Sequence, residues 1–335
     1  MALYCGIDLH ATNHLVVIID DEDRRVFEKR LANDISITKG ALGPYRDQLA
    51  GIAVESTFNW YWLIDGLEDA GFVACLANPA AIKQYEGLKH TDDPYDAFFL
   101  AHLMRLGILP TGYHYPREQR GVRDLLRRRL SIVQTATRLL LSVQSQIWRS
   151  TGINVSSNRI RRPDFELPLT PGPVREGAAA QWRLFQQTQA EIQGLERLAL
   201  DLYRGEDSYQ LLQTVQGIGR ILGLTISLET GSINRFHKAG NYASYCRCVS
   251  SQRISNDKKK GKNNGKAGNR YLSWAFSEAA HFAVRFEPKV QRFYERKRQK
   301  CNGIVAIRAV AHKLSRAVFH MLKHHEPFDV DRAFG

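Results

Sequence analysis

Four acidic residues and one serine hold positions from which chemistry could be done. Asp8 closes an apolar stretch, Leu3–Asp8, and Glu55 closes another, Ile52–Val54. Asp93 and Asp96 are three residues apart at the head of a helical pattern. Pro94 suits its first turn and Asp93 its cap, so both side chains can share one face. Taken singly, strand-end acids cap turns and Asp93 merely caps a helix. Gathered in one place, four carboxylates repel one another and are stable only around cations. Oxygen ligands favour Mg2+ or Mn2+, ions that bridge to phosphate and drive phosphodiester chemistry. Asp92, beside Asp93, is an alternative ligand. Ser255 stands where apolar sequence gives way to a lysine-rich run, as a candidate nucleophile. It needs a base, a metal or nearby cations to act, and Ser250 and Ser251 are equally available.

The elements that must position these groups read as follows. Leu3–Asp8, His14–Ile19 and Val26–Leu31 are strands joined by turns, one of them the acidic Asp20–Asp23. A helix over Thr38–Leu49, capped by Ser36 or Thr38, leads to the strand at Ile52–Val54. A helix over Trp60–Ala70, a strand over Phe72–Leu76 and a short helix over Pro79–Tyr85 follow. This order is that of the ribonuclease H fold. There the first and fourth strands are neighbours, which sets Asp8 beside Glu55 beneath the helix carrying Asp93 and Asp96.

From about Tyr115 the chain turns helical and arginine-rich. One amphipathic helix runs through Val122, Leu126, Leu130, Leu140 and Ile147, and a second spans about Val174 to Tyr203. Between them lies a loop with four prolines. The expected fold class is α/β plus α: a mixed-sheet domain at 1–110, a helical hairpin or coiled-coil connector at 115–205, and a basic, mostly helical domain at 209–325 with helices over Tyr271–Phe286 and Gly303–Lys323.

Two features of the last part suit nucleic acid. Gly217 and Gly219 flank Ile218 in a tight turn that can offer backbone N–H groups to phosphate. Lys258, Lys259, Lys260, Lys262 and Lys266 lie among glycines and asparagines, a loop with nothing to pack and able to clamp a phosphate backbone, or simply a solvated charge run. The 335-residue chain carries 47 Lys and Arg against 34 Asp and Glu, a formal charge of +13 that favours a polyanionic partner. Hydrophobic residues make up 44%, enough for real cores. Five cysteines without a Cys-x-x-Cys pair argue against disulfides or structural zinc and for buried free thiols. No apolar run reaches membrane-spanning length and no signal-peptide start is evident, so a cytoplasmic location without membrane contact is expected.

The residues together resemble the DEDD transposases of bacterial insertion sequences, the insertion-sequence one-hundred-ten type, whose relatives include pilin-gene invertases. The resemblance lies in Gly6-Ile7-Asp8, Val54-Glu55-Ser56-Thr57, Ala77-Asn78-Pro79 and Thr91 to Ala97. It continues in Val215 to Gly219, Tyr242 to Ser255 and Lys266 to Leu272. It implies a RuvC-like domain with Asp8, Glu55, Asp93 and Asp96 as the acids and a catalytic serine at Ser255 linked transiently to DNA. It also implies a site composed from different subunits of a homo-oligomer, a dimer or tetramer, acting on donor and target DNA under the guidance of a bridge RNA. Three rivals remain from the residues alone. They are a junction-resolving metal nuclease that uses water, an actin-like kinase, which also opens with Gly-Ile-Asp, and a non-catalytic nucleic-acid-binding protein.

Overall fold

A computed structural model of the chain describes residues 1–82, 93–203, 207–250, 253–255, 258–261 and 267–335, with backbone alone for 253–255 and 259. It forms two units, Met1–Tyr115 and Pro116–Gly335.

The N-terminal unit is built on five strands, β1 (Leu3–Leu9), β2 (Asn13–Ile19), β3 (Arg25–Ala32), β4 (Leu49–Glu55) and β5 (Ala74–Ala77), in the order β3-β2-β1-β4-β5. β1 to β3 form an antiparallel meander. β4 then lies parallel to β1, with Ile7 opposite Val54, and β5 parallel to β4. The first and fourth strands are therefore adjacent, as expected.

Alternation along β1 separates two faces. Cys5, Ile7 and Leu9 pack with Val16, Ile18, Ile52 and Val54 beneath α1 (Ile35–Leu42) and α2 (Tyr61–Asp69). Gly6 and Asp8 point to the other face, covered by α4 (Asp93–Arg105), which follows the short α3 (Pro79–Ile82). α4 lays Ala97, Leu100, Ala101 and Leu103 on Leu15, Val17, Ile19, Ala53 and Ala77. A Cβ built on Gly6 would sit 1.9 Å from the Ala97 carbonyl oxygen and 2.8 Å from the Ala101 nitrogen. The helix thus rests directly on the strand backbone, an approach only glycine permits. The far end of α4 is pinned by Asp23, whose carboxylate accepts from Arg105 Nε at 2.7 Å and meets His102 Nδ1 at 2.9 Å.

Three local expectations change. α1 starts earlier because Asp34, not Ser36 or Thr38, caps it, accepting from Ser36 and Ile37. Thr38 is buried, its hydroxyl bonded to the Asp34 carbonyl and facing His14 Nε2 at 3.0 Å. α1 also ends at Leu42, where Pro44 forces a 3-10 turn over Gly43–Tyr45. α4 begins at Asp93 itself, so this acid is in the first turn. Asp92 and the end of the expected 79–85 helix lie outside the described residues.

In the second unit, α5 (Arg117–Thr151) and α7 (Pro173–Leu202) form the hairpin, with the short α6 (Ser157–Ile160) in the intervening segment. Ala136, Leu140, Val143 and Ile147 pack on Phe185 and Ile192. Around the hairpin's open end and beyond come α8 (Asp207–Leu212), α9 (Arg220–Thr230), α10 (Ala239–Tyr245), α11 (Arg270–Phe286), α12 (Pro288–Arg298), α13 (Gly303–His324) and α14 (Val330–Phe334). Their shared core centres on Tyr242, Phe276, Val310, Leu314 and Val318. The lysine-rich stretch, expected as an unpaired loop, instead contains an antiparallel hairpin, β6 (Arg253–Ser255) with β7 (Lys258–Gly261). The cysteines are free thiols, Cys5 and Cys246 fully buried. Among the described residues, no helix is long and apolar enough to cross a membrane.

Gly6→Ala is expected to cost the N-terminal unit about 3 kcal/mol, the upper range of overpacking, because backbone rather than a flexible side chain must give way. Urea unfolding of the variant would measure it, and a cost near zero would show that α4 does not depend on this contact.

Candidate metal centre and nucleic-acid elements

The packing of α4 on β1 brings acids from three elements to one end of the sheet. Asp8, near the end of β1, is 4% exposed. Glu55 ends β4 on the same face and shares a side-chain hydrogen bond with Asp8. Asp96, exposed in the first turn of α4, acts on Glu55 through its charge. Burial, then the hydrogen bond and charge of Asp8, then the charge of Asp96, push the Glu55 carboxyl up to about 7. Asp93 stands at the rim. Its Oδ2 lies 3.3 Å from His10 Nε2, which is also 3.0 Å from Asp8 Oδ2. The same oxygen accepts from the Arg30 guanidinium at 2.5 Å, and that bond, with the nearby His10, holds the Asp93 carboxyl below its usual range.

The structure thus groups Asp8 and Asp93 with His10 and Arg30, while Glu55 lies against Asp8 and the exposed Asp96 approaches Glu55 without joining that group. Asp8, His10 and Asp93 each offer a ligand atom within 4.8 Å of the others. His10 could have been read from the sequence, since it follows Asp8 by two residues on a strand edge. Arg30 could not, because only the β2–β3 register brings it there, with its other nitrogen on Asn13 Oδ1 at 2.7 Å. The loop beyond β1 is held by Asn33 and Asn59, which both donate to the His10 carbonyl at 3.0 Å. Asn59 in turn accepts from the Thr57 hydroxyl at 2.9 Å, tying the segment after Glu55 to the same loop.

The donor set fits a hard divalent cation. Two carboxylates bond to each other only when one keeps a proton, and a cation would take that proton's place. Asp8, Glu55, Asp96 and the rim Asp93 are oxygen donors of the kind Mg2+ and Mn2+ prefer, with one imidazole alongside.

The C-terminal elements have different supports. Gly217 has φ +99°, and a Cβ there would stand 2.5 Å from the Ala279 carbonyl oxygen, so close packing on α11 alone demands this glycine. Gly219 precedes the first turn of α9, and a Cβ there would meet no atom within 4 Å. Gly268, at φ +91°, packs as tightly on the end of α10, 2.5 Å from the Tyr245 carbonyl oxygen. Asn269 then caps α11 through Tyr271 and Leu272 and donates to the Glu229 carboxylate at 2.7 Å. Glu229, 2% exposed, also binds Arg123 at 3.1 Å and Arg127 at 2.5 Å. Burial would raise its carboxyl, but these partners hold it below the usual value.

Ser255 pairs with Lys258 across the β6–β7 hairpin, in the second unit, while the acids are in the first. Lys258 and Lys260 are exposed, and Ser250 is exposed before the hairpin. Ser251, Lys262, Lys266 and the Lys259 side chain lie outside the described residues.

Comparison with known proteins decides the family. A transposase family model matches residues 5–148, which include all four acids. A second, for transposases of the IS116/IS110/IS902 family, matches residues 209–295, which include Ser255 and the glycine turn. Together they span more than half of the chain. The chain belongs to this transposase family. A protein of Pseudomonas aeruginosa named probable family 20 transposase is 25% identical over 247 residues, covering 70% of this chain and 71% of its own length. The chain is accordingly an enzyme that acts on DNA.

Mn2+ at a hundredfold excess over its dissociation constant is expected to stabilise the chain by about 2.7 kcal/mol, read as a rise in melting temperature. Asp8→Asn should abolish that rise with little change in the metal-free melting temperature, since an amide of the same shape can still bond to Glu55 and His10 and carries no charge to repel Glu55. An equal Mn2+ effect in Asp8→Asn would exclude Asp8 as a ligand.

Proposed function

We propose that this transposase cuts and rejoins DNA through a serine–DNA link, with Asp8, Glu55, Asp93 and Asp96 holding Mg2+ or Mn2+ on a ribonuclease-H-type (RuvC-like) sheet. The observation that carries the metal part is the convergence of Asp8, Glu55 and Asp96 where β1, β4 and α4 meet. The strand order β3-β2-β1-β4-β5, with β4 parallel to β1, supports the fold assignment.

When bound, the ion supplies positive charge at a scissile phosphate and lowers the cost of charge developing on its oxygens. The chain's residues do the rest. Arg30 and His10 hold Asp93 at the rim and give it a defined position. Asn33, Asn59 and Thr57 fix the loop and strand end from which Asp8 and Glu55 project. Lys258 and Lys260, with Lys259, Lys262 and Lys266, neutralise strand phosphates near Ser255. Gly219, at the open start of α9, can offer backbone N–H to a phosphate, while Gly217 supports that turn by its packing.

In the proposed reaction the Ser255 hydroxyl attacks phosphorus. The P–O bond to one strand breaks, the serine proton leaves to a base, and the departing sugar oxygen takes up a proton. The hydroxyl of a second strand then displaces serine, so the count of phosphodiester bonds is unchanged and no nucleotide is consumed. The reading includes, from the family resemblance, a composite site in a homo-oligomer, dimer or tetramer, whose acids and Ser255 come from different subunits, with the helical hairpin at 115–205 as the assembly element. A guide RNA pairing with donor and target DNA completes it. A water-using metal nuclease is the competing reading, favoured by the same acid cluster, which would suffice for hydrolysis without Ser255.

Asp8→Asn and Ser255→Ala are each expected to lower excision of the encoding DNA segment from a plasmid by on the order of 1,000-fold or more. A denaturing gel should show a covalent protein–DNA adduct for the unmodified chain and none for Ser255→Ala. Excision that persists in Ser255→Ala without an adduct would establish the water mechanism instead.

A further inference from the structure

The end of the chain encloses a cavity that neither the acids nor the lysine hairpin use. It has a volume of about 550 Å³ and lies between the later turns of α13 and the segment that enters α14. Met321 and Phe328 are among its apolar lining residues, and Lys313, Arg316, Arg332 and His320 outnumber the acids Glu326 and Asp329.

The acids of the lining are already engaged. Glu326 accepts from Arg332 at 3.1 Å. Asp329 caps α14, accepting from the backbone N–H of Asp331 and Arg332. Arg332 is balanced by Glu326, but among the described residues Lys313 and Arg316 pair with no carboxylate. Lys313 donates to the Ala333 carbonyl at 2.8 Å and lies over the Phe293 and Phe334 rings at 4.8 and 5.3 Å. These neutral partners fix its position without neutralising it. Arg316 is exposed and, among the described residues, has no carboxylate partner. Burial, then Arg296 and Lys297, lower the Lys313 ammonium. Burial, then Arg332, His324 and Arg316, lower the His320 imidazole. Burial leads in both, and the cationic neighbours add to it.

We propose that this cavity binds one unpaired nucleotide of a nucleic-acid strand, its phosphate at Lys313 and Arg316 and its base against Met321 and Phe328. The volume is in the range of sites for small organic molecules, roughly 300–1,000 Å³, and a lone phosphate would leave most of it unfilled. A nucleotide combines the anion that the basic residues attract with a flat ring that the apolar residues can cover. An acidic protein segment would satisfy the cations and leave Met321 and Phe328 without a matching surface. The inference rests on the enzyme's action on DNA and asks nothing of the metal acids or Ser255.

The test uses the full chain in EDTA with a single-stranded oligonucleotide carrying photoreactive thiothymidine, followed by mapping of the crosslinked peptides. Adducts are expected within residues 313–333. Arg316→Glu, at an exposed position that should leave the melting temperature unchanged, is expected to remove them. It should also reduce the slope of log affinity against log salt by about 1 and weaken binding by about tenfold at fixed salt. Arg183→Glu on α7, an equal change of charge, should keep the adducts. No adduct within 313–333, or adducts that persist in Arg316→Glu, would overturn the proposal. So would displacement by polyglutamate but not by unlabelled oligonucleotide, which would assign the cavity to an acidic protein partner. Since EDTA removes metal chemistry from the assay, a failure of excision with the adduct intact would count only against the strand-transfer mechanism.

Discussion

The separation between one helix and one strand governs the N-terminal unit. α4 rests on β1 at backbone contact because Gly6 has no side chain and Ala97 and Ala101 have small ones. With a larger residue at position 6, the helix would stand off and Asp96 would rise away from Asp8 and Glu55. The Gly-Ile-Asp sequence therefore has two linked roles on one face of the sheet. Gly6 sets the height of the helix, and Asp8, two residues on, uses the space beneath its first turn.

The carboxylate sites at Glu229 and Glu55 show how charge compensation separates support from function. Glu229 is almost fully buried, yet Arg123, Arg127 and Asn269 satisfy its carboxylate and hold it ionised. Such a group joins α5, α9 and the start of α11, and removing one partner leaves an uncompensated charge. Glu55 faces the opposite condition. Its charged neighbours are the acids Asp8 and Asp96, while His10 reaches Asp8 and the rim Asp93 and Arg30 reaches Asp93. Carboxylates in that state suit a cation better than they serve stability.

Much of the N-terminal architecture is legible in the sequence, because strand alternation and the acids that end strands are local signals. The meander, the adjacency of β1 and β4 and the closeness of Asp8 to Glu55 and Asp93 follow from them. What escapes depends on distant partners. Thr38 has the chemistry of a cap but is drawn into the core by His14, leaving Asp34 to cap α1. Arg30 reaches Asp93 only through strand register. Gly217 has the spacing of a phosphate turn, yet its close contact with Ala279 and Ala283 of α11 already requires a glycine. The β6–β7 hairpin arises within a run so polar that composition points to a loop, since backbone pairing needs no apolar residue. Gly268 and Asn269 read in the sequence only as part of the stretch that carries the family resemblance. The structure gives them physical work, a tight helix contact and a cap bonded to Glu229.

The most direct measurement of the account is anomalous diffraction at the manganese edge from crystals of the full chain grown with Mn2+. The account predicts a peak within bonding distance of carboxylate oxygens of Asp8, Glu55 and Asp96, with Asp8 and Glu55 no longer bonded to each other. Crystals in which that pair still shares its hydrogen bond, with no anomalous density beside it, would contradict it.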